Sequence, residues 1–409
     1  MAQSSSNNFA DTLNANFKIV YADKIENLIP DGVKLLNRID FSGREAQLGN
    51  LYSQPLILGL EHGVTFAGST DDAFALQSPI AGQLKEAQVR GSQMVLRSVL
   101  GYAAAARAAG GNPRAFEDST KFLVQNMMRS MAKKLEIEML YGQMGYATVA
   151  STSGNTLTVT TAEWAPGIWA GANNMPIEIR SPAGVLRGSA NVQSVNMDTR
   201  VVTVDLLPAG VLASDVIWHR GAYNNEFAGI HKILVNTGVL FGIDASQYDL
   251  FRGNTLTISP AAALSFAVIQ DAIARAVEKG LDSDVVVMVN PRAWSDLLTE
   301  QAALRQYDYS YRSSVAENGM QEIMFHGQNG KVEIVPSIYV KEGYAYVLCM
   351  EDFMRVGSTD ITFRRPGQGD DFFRELENNA GYELRAYTDQ AVFCMAPGRS
   401  TVIAGIQNS

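Results

Sequence analysis

The strongest constraint on the fold is an abrupt change of pattern on either side of Gly142. Residues 119–141 carry apolar side chains at spacings of three and four, which predicts a long amphipathic helix with Asp118 and Ser119 at its N-cap. Gly142 is a typical helix stop. Residues 147–221 instead contain short β runs separated by Gly, Pro, Asn and Asp, which predict a small sandwich or barrel. We therefore expect a β-rich insert that stands out from the main body as a surface knob. The apolar stripe of the helix consists of Val124, Met127, Met128, Met131, Leu135 and Met139.

An α/β pattern follows the insert. Ser259-Pro260 predicts the start of a helix that ends at Gly280. Residues 284–289 form an apolar run typical of a buried strand, and Asn290-Pro291 predicts the cap and first turn of another helix. Further strands are expected at residues 331–336, 344–349 and within 361–406.

The region before the helix has two parts. Residues 1–54 mix polar stretches with scattered apolar residues and show no periodic core, so they are expected to form an arm. Residues 55–97 carry apolar residues broken by glycines, with a charged tip near Asp71-Asp72, which predicts a long two-stranded excursion. A lone two-stranded ribbon is marginal in water. The excursion must therefore lie on another surface, or fold back on its own domain.

Composition narrows the classes of function that are open to the chain. The 409-residue chain is 18% charged, below the roughly 25% of an average soluble protein. Either its surface is rich in Ser, Thr, Asn and Gln, or much of it meets other protein, which is the interpretation we favour. A formal charge of -9 argues against a nucleic-acid reader, because such proteins need clustered Lys and Arg. No signal peptide and no membrane span is predicted. Cys349 and Cys394 sit in apolar runs, which indicates inert packing in a reducing cytosol.

Sequence motifs give no sign of catalysis. The chain lacks a phosphate-binding P-loop, a dinucleotide-binding glycine motif and a nucleophile elbow. Its histidines have no helical metal-site spacing, so each is interpreted as a structural residue. We therefore predict no catalytic residue, no metal and no cofactor. The four histidines are His62, His219, His231 and His326.

Several segments, taken in order, resemble the major capsid proteins of tailed double-stranded DNA bacteriophages, which have the Hong Kong 97-like fold. The resemblance covers nearly the whole chain, and its most specific segments are residues 139–142, 227–244, 289–294 and 330–336. It implies an α+β fold with an N-terminal arm, an extended loop, a peripheral domain with a long spine helix, an axial α/β domain and a small all-β insertion domain. The implied bounds are 1–54 for the arm, 55–97 for the extended loop, 98–146 and 356–409 for the peripheral domain with its spine helix at about 119–141, 147–221 for the insertion and 222–355 for the axial domain.

The resemblance implies a structural virion protein that self-assembles into hexamers and pentamers of an icosahedral capsid around double-stranded DNA. It also implies procapsid maturation and assembly in the host bacterial cytoplasm. The expected partners are copies of the chain itself, a separate scaffolding protein, a portal protein at one vertex, a decoration protein, and DNA bound without sequence specificity.

Contacts between subunits are expected at charged residues of the loop and the tail. These candidates are Lys85, Glu86, Arg90, Arg364, Arg365, Asp370 and Asp371. Two other functions stay open at this point: an encapsulin-like shell protein of a bacterial compartment, and a soluble α/β enzyme built on residues 225–350.

Overall fold

The computed structural model of the protein shows a mixed α+β chain in which strands predominate. Among the residues that it describes, no helix is both long enough and apolar enough to span a membrane. The described residues are 32–42, 51–70, 73–101, 113–305, 323–328, 330–363, 373–375 and 381–408.

Two antiparallel strands, β1 (Tyr52–Gly59) and β2 (Gln83–Val89), form a two-stranded sheet. We call these strands, together with residues 60–70 and 73–82 between them, the ribbon. Exposure alternates along most of β1, because successive side chains of a strand point to opposite faces. The partly buried side chains of Tyr52, Leu56 and Leu58 pack against the core. The predicted two-stranded excursion thus has its paired strands at these positions.

The long helix α1 spans Pro113–Tyr141. It begins six residues before Ser119, so the predicted N-cap at Asp118 and Ser119 is wrong. Pro113 opens the helix instead, since proline has a pre-set φ and no N–H to leave unsatisfied in the first turn. Four members of the predicted stripe are buried, whereas Met128 is 38% exposed and lies outside it. The buried members are Met127, Met131, Leu135 and Met139.

The insert is a closed six-stranded barrel. Its strand order is β4-β5-β8-β7-β6-β9, and all the pairs are antiparallel. Valine, isoleucine and leucine side chains alternate inward and fill the interior, as expected for a small barrel. The strands are β4 (Ala147–Ser153), β5 (Thr156–Val159), β6 (Pro176–Arg180), β7 (Leu186–Asn196), β8 (Val201–Val204) and β9 (Val216–His219), with a short helix α2 (Pro166–Trp169) between β5 and β6.

The barrel is attached to the body by backbone hydrogen bonds as well as by its two chain connections. Residues 162–167 hydrogen-bond to residues 338–343: Gly167 N donates to Ile338 O at 2.8 Å, and Gly343 N donates to Ala162 O at 2.8 Å. Glu342 N also donates to the Trp164 carbonyl oxygen at 2.9 Å. Backbone groups of the insert thus form hydrogen bonds with those of a body loop, in addition to the two chain connections.

The chain returns from the barrel directly beneath the end of α1. Gly229 N donates to Gly142 O at 3.0 Å, and a Cβ on Gly142 would lie 2.2 Å from the Phe227 carbonyl oxygen. Glycine is thus needed at position 142 because the returning backbone passes in contact with it. The short helix α3 (Ile230–Leu234) and the hairpin strands β10 (Val239–Leu240) and β11 (Ile243–Asp244) follow.

A six-stranded mixed sheet with order β12-β20-β16-β13-β15-β14 forms the largest layer. Strand β13 is buried at every position, as its apolar run predicts. Helices α4 (Phe266–Glu278) and α5 (Pro291–Arg305) pack against the sheet through Ile269, Ile273 and Leu297. The strands are β12 (Asn254–Ala262), β13 (Val285–Val289), β14 (Ile323–Gly327), β15 (Gly330–Pro336), β16 (Tyr344–Leu348) and β20 (Thr401–Ile406).

One predicted helix start is wrong. Ser259 and Pro260 lie in β12, which pairs in parallel with β20, and α4 begins at Phe266. The N-cap is Ser265, whose hydroxyl accepts a hydrogen bond from Val268 N at 3.3 Å. A Ser-Pro pair suits a helix start, but strand pairing with a distant segment decides its conformation here.

A second sheet packs against α1. It contains β3 (Ser92–Gly101), β17 (Phe353–Thr362), β18 (Phe373–Glu375) and β19 (Gly381–Cys394), with β19 paired to each of the others. Met127 and Met131 of α1 contact Leu384 and Ala386 of β19 in a buried cluster. The stripe of α1 therefore faces this sheet over its middle turns.

Candidate interaction surface

The base of the ribbon is fixed to the body. The Tyr52 ring meets the Phe393 ring edge-on at 5.9 Å, and Ala87 and Val89 are buried. Gln88 N donates to the Phe241 carbonyl oxygen at 2.8 Å, which joins β2 to the β10–β11 hairpin. These contacts set the direction of the ribbon.

The distal part of the ribbon is exposed. From Leu60 to Glu86, every residue that the structure describes is exposed except Thr65. The two sides still hold together, since His62 N donates to Ile80 O at 3.2 Å and Gln77 N donates to Thr65 Oγ1 at 2.9 Å. The extension therefore has a defined two-sided shape without burial against its own subunit.

Large apolar side chains cover this exposed extension. Ile57 lies opposite Leu84 in the strand register, and both are more than half exposed. Phe66 is 91% exposed and Leu76 is 80% exposed. Such clustered apolar exposure is characteristic of a surface that meets another molecule. We call the following residues the ribbon set: Ile57, Leu60, Val64, Phe66, Phe74, Leu76, Ile80 and Leu84.

The charged contact candidates of the ribbon occupy different positions. Lys85 and Glu86 are exposed on β2, and their side chains point to opposite faces. The Glu86 carboxylate accepts a hydrogen bond from the Ser53 hydroxyl at 3.1 Å, so it is engaged within the ribbon. Arg90 is exposed just after β2 and lines a cleft at the ribbon base.

Four further candidates, Arg364, Arg365, Asp370 and Asp371, lie outside the described residues. Sequence reasoning singled out charges and omitted the ribbon set. A signal for that set was present, because large apolar residues recur in a glycine-rich segment that has no predicted packing partner.

The cleft at the ribbon base has a volume of about 850 Å³ and is lined by polar side chains from three segments. Arg90 and Glu226 are its charged lining residues. Glu226 is tied to the end of α1, because its carboxylate accepts a hydrogen bond from Gln143 N at 3.2 Å. Burial raises the pKa of Glu226 to about 7.

Two more ionisable groups lie buried beside Glu226. Burial raises the pKa of Glu138 to about 8, with repulsion from Glu226 adding to the effect. Burial lowers the pKa of Lys134 to about 7, and its ammonium donates to the Tyr146 hydroxyl at 2.8 Å. Glu138 accepts from Phe227 N at 3.1 Å. Perturbed groups often mark active sites, but these side chains bind backbone and neighbouring groups at the junction of α1, the barrel and the returning chain.

A polar network joins the barrel to the six-stranded sheet. Lys341 Nζ lies 2.5 Å from Glu163 Oε2 and 4.3 Å from the centre of the Tyr141 ring. Burial opposes the charge on Glu163, but Lys341 holds the pKa of this carboxyl below its ordinary value. His231 Nδ1 lies 2.9 Å from the Tyr346 hydroxyl, and burial lowers the pKa of His231 to about 4. His231 is thus a buried neutral structural residue.

No set of at least three His, Cys, Asp and Glu side chains comes together to bind a metal ion in the part of the chain that the structure describes. Cys349 and Cys394 are both buried and unpaired, which agrees with inert packing.

Comparison with known proteins identifies the fold. No family model matches the sequence, and no curated protein matches it. A chain of the cyanophage A-1(L) capsid asymmetric unit aligns with a TM-score of 0.59 and 10% identity, over 97% of this chain and 99% of that chain. The capsid of a native GTA particle aligns with a TM-score of 0.50 and 8% identity, over 96% of each chain. The fold of this chain is therefore that of capsid proteins over nearly its whole length.

The SrpI encapsulin complex from Synechococcus elongatus also aligns, over 97% of this chain and 95% of that chain, at 7% identity. Its TM-score of 0.47 is too low to distinguish between a compartment shell and a virion shell.

Proposed function

We propose that this chain is the structural subunit of an icosahedral phage capsid, built from hexamers and pentamers and enclosing double-stranded DNA. The observation that carries the proposal is the ribbon. Its base is fixed to the body, and the apolar side chains of its distal part face solvent in the single chain. A capsid-like fold over the whole chain supplies the context in which a neighbouring copy covers that extension.

The ribbon set is large enough to drive association. Burying one large apolar side chain contributes about 1.5–3 kcal/mol, so eight of them represent about 12–24 kcal/mol before the costs of association. Closure of a symmetric shell repeats this contact in every subunit. Modest contacts can then produce a durable particle, and Lys85, Glu86 and Arg90 would act at the rim of the same contact.

We propose the following parts for the subunit: an arm at 1–54, an extended loop at 55–97, a peripheral domain at 98–146 and 356–409, an insertion at 147–221 and an axial domain at 222–355. The packing of α1 on the β3–β17–β18–β19 sheet supports the peripheral domain. The six-stranded sheet with α4 and α5 supports the axial domain.

The remaining partners and the location are also part of the proposal. They are a separate scaffolding protein, a portal protein at one vertex, a decoration protein and packaged DNA, within a capsid assembled in the host cytoplasm. A net charge of -9 suits a wall that holds DNA without binding its sequence. We propose no catalytic role. Arg364, Arg365, Asp370 and Asp371 stay proposed contacts across subunits.

Expression of the chain with and without a scaffolding protein, followed by negative-stain imaging, tests the proposal. We expect closed particles of uniform diameter for the wild-type chain and for Gln77→Ala, an exposed polar change on the same ribbon. Leu76→Ser should reduce the yield of particles while the subunit stays folded. A chain that remains a monomer or small oligomer under all these conditions would exclude a shell function. Double-stranded DNA packaged during infection, rather than a protein cargo, distinguishes a virion from an encapsulin-like compartment.

A further inference from the structure

The segment of residues 32–42, which we call the strap, lies across three separate parts of the body. It contains one helical turn, in which Arg38 N and Ile39 N donate to Leu35 O at 3.0 and 3.1 Å. It ends in a β-bridge between Phe41 and Arg355. The strap therefore consists of a turn followed by an extended end.

A single carboxylate caps the turn. Glu136 of α1 is fully buried and accepts hydrogen bonds from the backbone N–H groups of Lys34, Leu35 and Leu36 at 3.0, 2.8 and 2.8 Å. The first N–H groups of a helical turn have no partner within the turn. A buried carboxyl group whose two oxygens accept from three of them is a built receptor for the start of such a turn.

The extended end is held by Arg355 of β17. Its Nε donates to Ile39 O at 2.8 Å, its backbone N donates to Asp40 O at 3.1 Å, and its backbone O accepts from Ser42 N at 2.8 Å. A third anchor is Glu333 of β15, which pairs with the guanidinium of Arg38. The anchors come from a helix and two different sheets.

Two apolar side chains complete the contact. Leu35 and Ile39 are 0% and 1% exposed, and their i, i+4 spacing puts them on one face of the turn. Lys34, which precedes both apolar side chains, is exposed. The strap thus supplies backbone groups, two apolar side chains and the Arg38 guanidinium, while the body supplies Glu136, Glu333 and Arg355. An apolar face combined with hydrogen-bonded backbone groups is typical of a docked peptide.

We propose that Glu136, Glu333 and Arg355 form a peptide-docking site, whose ligand is a helical turn with apolar residues at i and i+4 followed by one extended stretch. The chain's own strap occupies the site in the intact protein, and once the chain is cut beyond residue 42 the strap becomes a non-covalent, exchangeable ligand. While docked, the strap joins α1 to β15 and β17, and its release separates these contacts. The inference does not depend on the proposed function.

The test uses the folded full-length chain with a site-specific protease sequence in place of residues 44–49. After cleavage under native conditions, the N-terminal fragment should stay bound to the body. A fluorescent peptide of residues 31–43 should then replace it, as measured by anisotropy and by the appearance of free fragment. A fragment that never exchanges with the excess peptide would show that the strap is a permanent core element and overturn the proposal.

Peptide variants test recognition without altering the folding of the body. The Lys34→Ala peptide is the matched control and should bind like the wild-type peptide. The Leu35→Asp peptide should bind at least about a hundredfold more weakly, because it loses a buried apolar anchor and would bury a charge. Glu136→Gln in the body should weaken the wild-type peptide about tenfold, since an amide replaces one of the two acceptor oxygens by an NH2 donor and leaves a backbone N–H of the turn without a partner. Equal binding of all three peptides would refute the docking site.

Discussion

The substitution Phe66→Ser should weaken assembly without changing the stability of the unassembled subunit. The Phe66 ring is 91% exposed in the single chain, so removing it creates no cavity and breaks no intrachain packing. An aromatic side chain buries about 150 Å² or more when it is covered, and at about 25 cal/mol per Å² this burial contributes about 3.8 kcal/mol. That free energy corresponds to about five hundredfold in the equilibrium constant of each contact.

Two measurements on the same protein provide the assay. Thermal unfolding of unassembled subunits should be unchanged, because exposed substitutions usually alter stability by less than about 0.5 kcal/mol. Light scattering against protein concentration should show the assembly threshold rising at least about tenfold, because the loss recurs at every copy of the contact. Gln77→Ala on the same extension should leave both measurements at wild-type values.

Two results would refute this reasoning. An unchanged assembly threshold would mean that the ribbon tip stays solvated in the particle. A lower unfolding temperature for unassembled Phe66→Ser would mean that the ring packs on its own subunit, against its 91% exposure.

Three further predictions concern buried groups near α1. Glu226→Gln should stabilise the fold at neutral pH by about 3 kcal/mol. The Glu226 pKa is about 7 in the folded protein against an ordinary 4.5, so the wild-type fold loses stability as pH rises through this window. Chemical denaturation at pH 5 and pH 8 should show the gain mainly at pH 8. Gly142→Ala should destabilise by about 1–3 kcal/mol, because its Cβ would meet the Phe227 carbonyl oxygen, and an equal denaturation midpoint would contradict this contact. Lys341→Met should cost about 1–3 kcal/mol, because the half-buried Glu163 carboxylate would lose its ammonium partner and keep only the hydrogen bond from the Tyr344 hydroxyl. The added change Glu163→Gln should restore part of the loss in a thermal melt.

Local sequence pattern correctly predicted the elements in which buried residues recur at a regular spacing. The strand at Val285–Val289 is buried at every residue, in line with its apolar run, and the insert forms the small barrel that its short β runs indicate. The N-cap of α5 was also readable, since Asn290 accepts from Arg292 N at 3.0 Å. In these cases the local preference and the tertiary contacts favour the same conformation.

Prediction from the sequence failed where the burial or conformation of a residue depends on a segment that is distant in the chain. A helical stripe places Glu136 and Glu138 among polar positions, yet both are buried because the strap and the returning chain cover the end of α1. Ser259 and Pro260 carry a helix-start signal but are in β12, where pairing with β20 prevails. The ribbon set was missed for the opposite reason. Its apolar side chains stay exposed in the described part of the subunit, and an apolar sequence pattern alone does not distinguish exposed side chains from buried ones.

The buried glutamates of α1 explain why burial in its last turns extends beyond the apolar stripe. Successive helical residues are about 100° apart, so Glu136 and Glu138 point in very different directions from the same turn. The Glu136 carboxyl group accepts from the N–H groups of the strap, and the Glu138 carboxyl group accepts from Phe227 N of the returning chain. The last turns of α1 are therefore surrounded by chain segments whose N–H groups find their partners on α1, and an apolar side chain at either position would leave such groups buried without partners. The carboxyl groups at positions 136 and 138 are thus required by the backbone N–H groups from which they accept.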